Sequence, residues 1–140
     1  MATRTTHFIH SSRVTGAQVL GAAFDLADVH DHDLSKGLPP YQQEREWYGI
    51  LDYLHIQLTG AAASAKLTIR ICRDAAGDDV VVPDTEADLV AGVTTAATKC
   101  AAFSVKVPIS QIGTASSLYV FAKVDAGTPT WAASDITWTE

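Results

Sequence analysis

Between Tyr53 and Arg73 the chain carries two apolar runs joined by small residues. In the first, Leu54, Ile56 and Leu58 alternate with His55 and Gln57; in the second, Leu67, Ile69 and Ile71 alternate with Thr68, Arg70 and Cys72. A period of two is the mark of a strand with one buried face. Gly60 to Ala65 between them is too small to be a core element, so the runs read as an antiparallel hairpin or an adjacent pair at the centre of a β-sandwich. Ala101, Phe103, Val105, Val107 and Ile109 give the clearest further strand, and Pro108 places its end at a sheet edge. Leu118, Val120, Ala122 and Val124 alternate with Tyr119, Phe121 and Lys123, a strand with large groups on both faces.

Weaker signals fill the intervals. Met1 to Thr15 reads as an N-terminal arm or first edge strand, with His7-Phe8-Ile9-His10 its one hydrophobic knot. Gly16 to Leu26 favours a strand, although its alanines also permit a helical turn. Ala27 to Gln43 holds a His/Asp cluster and then Gly37-Leu38-Pro39-Pro40, which excludes a helix and predicts a long loop. Asp74 to Asp79 is a turn, Val80 to Val82 a short strand that Pro83 ends, and Asp84 to Val90 has the capping and propensity of one helical turn. Gln111 to Ser117 is another turn. Asp125 to Pro129 predicts a hairpin, with Thr130 to Glu140 returning as a last strand or pair. The sum is an all-β, single-domain β-sandwich or jelly roll of about seven to nine short antiparallel strands over 16–140, preceded by the segment 1–15. No internal repeat or domain boundary is visible.

Composition narrows the function classes. At 140 residues, with 47% hydrophobic and 19% charged residues, the chain can bury a core without staples, and its low charge fits a surface partly covered by sister subunits. A net charge of -6, with ten scattered basic residues, argues against nucleic acid. No apolar run approaches the roughly 20 residues of a membrane span, and no secretory leader pattern opens the sequence, so synthesis in a cytosol is expected. Cys72 and Cys100 are then expected as free thiols, each on the less apolar face of its strand.

The chemical candidates are thin. His30-Asp31-His32 would place two imidazoles on one side of an extended strand, as in a metal site. The cupin-type pattern also needs a nearby glutamate and a later histidine, and Lys36 and Gly37 stand where the glutamate belongs, so a solvated loop is the expectation. Asp74, Asp78, Asp79, Asp84, Glu86 and Asp88 lack the order of a Ca2+ loop and fit turn roles. No nucleophile elbow, paired Cys/His or phosphate loop occurs, so no catalytic residue, metal or cofactor is expected. Trp47, Tyr48, Tyr119, Trp131 and Trp138 are expected as core or interface anchors, with a carbohydrate-stacking surface as the competing reading.

From Lys66 onward the chain resembles the cement, decoration and other head accessory proteins of tailed bacteriophages. The resemblance is carried by Leu67-Thr68-Ile69-Arg70 with Asp74-Ala75-Ala76-Gly77-Asp78, by Leu118 to Lys123 before Ala126-Gly127-Thr128, and by Ile136-Thr137-Trp138-Thr139-Glu140. It covers about half the chain and implies a sandwich or jelly roll that trimerises on the capsid exterior and clamps neighbouring major capsid subunits, with no catalytic residues. Phe8, Ile9, His30, His32, Trp47, Tyr48, Tyr119, Phe121 and Trp131 are the candidate interface residues. The N-terminal half and the His/Asp segment have no counterpart in that resemblance, which leaves a receptor- or carbohydrate-binding module of a tail or fibre as the alternative.

Overall fold

A computed structural model describes residues 9–15, 18–24, 29–33, 50–60, 65–91, 98–108 and 117–139. They form nine strands: β1 (Ile9–Thr15), β2 (Val29–Asp33), β3 (Ile50–Thr59), β4 (Lys66–Cys72), β5 (Val80–Asp88), β6 (Val90–Ala91), β7 (Thr98–Pro108), β8 (Ser117–Val124) and β9 (Thr130–Thr139). The antiparallel pairs are nested: β4 with β5, β3 with β7, β2 with β8 and β1 with β9. The chain is thus one long hairpin doubled back at the β4–β5 turn. Rolling it up adds β3 to β9 and β4 to β8, giving a five-stranded sheet, β1-β9-β3-β7-β6, over a four-stranded one, β2-β8-β4-β5. This order is that of a jelly roll.

The organising pair is central, as its pattern predicts, but it is not a hairpin. β3 lies in the five-stranded sheet and β4 in the four-stranded one. Each has one apolar face, and stacking buries those faces against each other, whereas side-by-side pairing would leave both in need of cover. The same logic overturns the expected hairpin at Asp125 to Pro129, since β8 and β9 also lie in different sheets. Between the layers Leu54, Ile56, Leu58, Phe103, Ile136 and Trp138 meet Leu67, Ile69, Ile71, Leu118, Val120 and Val124, all buried. Each such side chain contributes about 1.5–3 kcal/mol relative to exposure.

Two bulges explain where simple alternation fails. Along β3 and β9, Gln57 faces Ala133 and Leu58 faces Trp131, so Ala132 is the extra residue. The phase of β9 flips there, and Trp131 joins Ser134, Ile136 and Trp138 on the inner face. On β5, Thr85 pairs with Ile69 and Val82 with Ile71, leaving Pro83 and Asp84 within a bulge. Pro83 therefore does not end the strand, because an edge strand tolerates a missing N–H at a bulge. The helical turn expected over Asp84 to Val90 is replaced by strand as far as Asp88. Arg70 holds it in place, its Nε and Nη2 donating to the two Asp84 carboxylate oxygens at 2.6 and 3.1 Å.

The segment 18–24 is neither regular strand nor helix. It is tied to the β8–β9 crossover by Leu20 N–H donating to Pro129 O at 2.7 Å and Trp131 N–H to Gln18 O at 2.8 Å, with Leu20 fully buried. Pro108 pairs with Ile50, and β6 covers β7 only at Lys99 and Cys100, so among the described residues the proline lies on an open margin, as expected.

The β4–β5 turn folds over the outer face of the four-stranded sheet. Gly77 sits at φ 81°, and a Cβ there would stand 3.0 Å from Cζ of Phe121. Gly60 has a similar φ of 73° but open space around it. Gly77→Ala is therefore expected to destabilise the protein more than Gly60→Ala. The backbone term alone is about 1 kcal/mol at both sites, and displacement of the Phe121 ring adds to it at Gly77. Urea unfolding of the two variants measures the difference.

Candidate functional site: a buried histidine pair and two outer sheet faces

Strand β2 lies near the start of the segment expected to be a solvated loop. Its pattern is period two with imidazoles in place of aliphatic groups: His30 and His32 turn inward, at 4% and 0% exposure, while Val29, Asp31 and Asp33 take the other face. The sequence therefore gives the correct geometry, two imidazoles on one side, but the side is the sandwich interior. β2 is the edge strand beside β8, and its inner face packs on β9 and β1 of the other sheet.

There His30 meets the Trp131 indole edge-on, ring centres 4.2 Å apart and planes at 79°. His32 Nε2 and Ser134 Oγ are 3.0 Å apart, and Ser12, also buried, donates from Oγ to the Asp33 carbonyl at 3.4 Å. His30 Nε2, His32 Nδ1 and Trp131 Nε1 find no partner among the described residues. Burial lowers both imidazoles from 6.5 to about 4; for His32 the neighbouring His30 adds to this, and the Ser12 backbone opposes it. Both rings are thus neutral at pH 7. Among the described residues no three His, Cys, Asp or Glu side chains gather as a metal cage.

The other candidate interface residues scatter. Trp131 is 2% exposed between the sheets. Phe121 is buried on the outer face beneath Gly77. Neither ring is presented to a partner in this arrangement, because the β9 bulge turns one inward and the β4–β5 turn covers the other. His30 and His32 are enclosed in the same way. Tyr119 is half-buried on the outer face. Ile9 belongs to β1, opposite Thr139. Phe8, Trp47 and Tyr48 lie outside the described residues.

The acidic residues after β4 have structural employment. The Asp74 carboxylate accepts from the backbone N–H groups of Asp79 and Asp78 at 2.9 and 3.2 Å, which holds it below the usual carboxylate range. Asp79 pairs with Arg73 at 2.7 Å and Glu86 with Lys66 at 3.4 Å. The Arg70 hydrogen bonds depress Asp84 likewise. Both cysteines are free, as expected. Cys72 lies on the outer face of β4 with Arg70, as expected, and is fully buried there because the β4–β5 turn folds over that face; burial pushes its thiol up to about 11.

Two exposed faces remain. On the four-stranded sheet the Phe24 ring is held between cations, with the Arg70 guanidinium carbon and Lys123 Nζ each 4.7 Å from its centre. Alternation could not reveal this contact, which joins three distant segments. On the five-stranded sheet, one row across the strands runs Arg13, Asp135, His55, Ala102, and the next runs Ser11, Thr137, Tyr53, Ser104. Arg13 Nε lies 3.1 Å from Asp135 Oδ1, and His55 Nδ1 lies 4.0 Å from Oδ2. Tyr53, half exposed beside Ser11, Thr137 and Ser104, was not singled out by the sequence.

No protein-family model matches this chain, and no curated protein matches it. Among solved structures, it is similar to a chain in the structure of infectious bursal disease virus Gt strain, with 10% identity and a TM-score of 0.38. The alignment covers 95% of this chain and 32% of that one, so this chain spans about a third of that chain's length. A likeness at that score carries no argument; the jelly-roll assignment rests on strand order.

Two predictions follow from the histidine pair. With folded values near 4 against 6.5 for an open imidazole, the unfolded chain takes up protons first as pH falls. Stability is therefore full above about pH 6.5, declines toward pH 4 and levels off below it, by at most about 3 kcal/mol per histidine. Urea midpoints between pH 7.5 and 4 measure that slope. Ser134→Ala removes the partner of His32 Nε2 and is expected to cost about 1–3 kcal/mol, again read by urea unfolding at pH 7.5.

Proposed function

We propose that this chain is a structural protein of a virion. On this reading it is a capsid cement or decoration protein that assembles as a homotrimer and clamps neighbouring major capsid subunits. It is made in the host cytoplasm and acts on the capsid exterior, without catalysing a reaction, holding a cofactor, or binding nucleic acid or membrane. The observation that carries this reading is where the chemically versatile side chains have gone. The imidazoles of His30 and His32 fill the sandwich interior, and Asp74, Asp79, Asp84 and Glu86 are engaged in a turn or in ion pairs. The described surface offers a partner a sheet face on which Tyr53 stands half exposed in a row with Ser11, Thr137 and Ser104, a shape suited to docking on another flat protein surface.

The strand-and-turn pattern from Lys66 onward, which resembles phage head accessory proteins, supports the same reading. A protein of this kind works by mass action, since binding the assembled lattice in preference to free subunits stabilises the shell, and many repeated weak contacts add up. The glycan-binding alternative drew on exposed indoles, and burial of Trp131 and Trp138 between the sheets takes two of the three away from it.

The test is sedimentation with undecorated capsids of the encoding virus and, separately, with their free capsid protein. The expected result is pelleting with assembled capsids alone, weakened at least roughly tenfold by Tyr53→Asp, the size of loss a central aromatic anchor gives, with an unchanged melting temperature. Equal affinity for free subunits, or no binding to the lattice, overturns the proposal, and light scattering that finds a monomer removes the trimer.

A further inference from the structure

Apart from any role on a capsid, the seam joining the two sheets at β1, β2 and β9 is unlike the rest of the interior. Elsewhere aliphatic and aromatic groups meet. Here the filling is His30, His32, Ser12, Ser134 and the Trp131 ring, and one of the three strands it joins is a five-residue edge strand bonded on one side to β8. We propose that this seam is an acid-operated latch: protonation of His30 and His32 releases β2 from β9 and β1, uncovering Trp131 and the rim of the sandwich while the β3–β4 core stays folded.

The charges around the imidazoles make release the natural response. From β9 they face Trp131 and Ser134, from β1 Ser12, and beside them on β8 stand Val120 and Leu118, none of them ionisable in this range. Asp31 and Asp33 of the same strand alternate onto the opposite face, and the Arg13–Asp135 pair lies on the outside of the five-stranded sheet. Among the described side chains, therefore, no carboxylate faces either ring to receive an imidazolium. Charged, the two buried rings would repel each other, and His32 has only the Ser134 hydroxyl and the Ser12 backbone beside it. A buried charge without a counter-ion costs far more than the few backbone bonds of a short edge strand, so opening is the cheaper outcome. Neutral rings, by contrast, pack as flat, moderately polar filler.

Hydrogen exchange by mass spectrometry at pH 7 and pH 5, expressed as protection factors, tests this on the intact chain. The expected result is that peptides spanning β2 lose protection by roughly tenfold or more per histidine, while β1, β3 and β4 peptides keep theirs and Trp131 fluorescence shifts to the red. The double variant His30→Leu/His32→Gln, which keeps a hydrogen-bonding group opposite Ser134, is expected to hold β2 protected at pH 5. Loss of protection in all strands together, or loss in the variant at the same pH as in the parent, overturns the latch. Should the variant not fold, side-chain NMR of the parent decides: ring signals titrating near 6.5 with β2 still protected overturn it, and titration coinciding with the opening of β2 supports it.

Discussion

The fold depends on one apposition: the apolar face of β3 against that of β4. Each strand alternates cleanly, each lies away from the margins of its own sheet, and the two are successive in sequence yet stacked across the interior. Once they face each other, the remaining strands have little choice. β9 and β7 flank β3, β8 and β5 flank β4, and each brings its own apolar face to the same plane. The nested pairing is the connectivity that delivers those neighbours while the chain doubles back about a single turn. Aliphatic burial thus sets the topology, and the polar features occupy the places it leaves.

Much of this was legible from period alone. Leu54, Ile56 and Leu58, the 67–71 run, Phe103 and the 118–124 strand all face as their alternation predicts, and the turn at Asp74 to Asp79 is built by the residue expected to build it. What the sequence misdirects is the choice between pairing and stacking: a short, small-residue linker after Thr59 looks the same whether the next strand lies beside or above. β5 departs from its local pattern because proline and helix-forming residues carry only local preference, and an edge strand held by Arg70 and Lys66 overrides it. The phase of Trp131 depends on a bulge that alternation cannot foresee.

The histidine segment is the instructive failure. Two aspartates and two histidines beside a Pro-Pro run have the composition of a loop, yet the backbone reads every second residue, and the buried members are the imidazoles. A neutral histidine is large, flat and acceptable to an interior that offers one hydroxyl and an indole edge. The same substitution of histidine for an aliphatic group takes His30 and His32 off the surface, where interface or metal chemistry would need them. The candidates that remain, half-exposed Tyr53 and half-buried Phe24, are aromatic residues whose setting comes from segments far apart in sequence, so no local pattern announces them.

The position of β9 has a consequence for how the molecule comes into being. β1 and β3 do not pair; each pairs with β9, which lies between them. Until that strand has left the ribosome, the five-stranded sheet exists as two separate pieces, each with a bare flank able to accept any passing extended chain. The four-stranded sheet, whose members are all synthesised earlier, can assemble ahead of it and wait with its greasy side uncovered. Folding in the cell is thus a race between arrival of one late strand and capture of the half-built sandwich by its siblings, and slow translation between β8 and β9 would favour the wrong contestant.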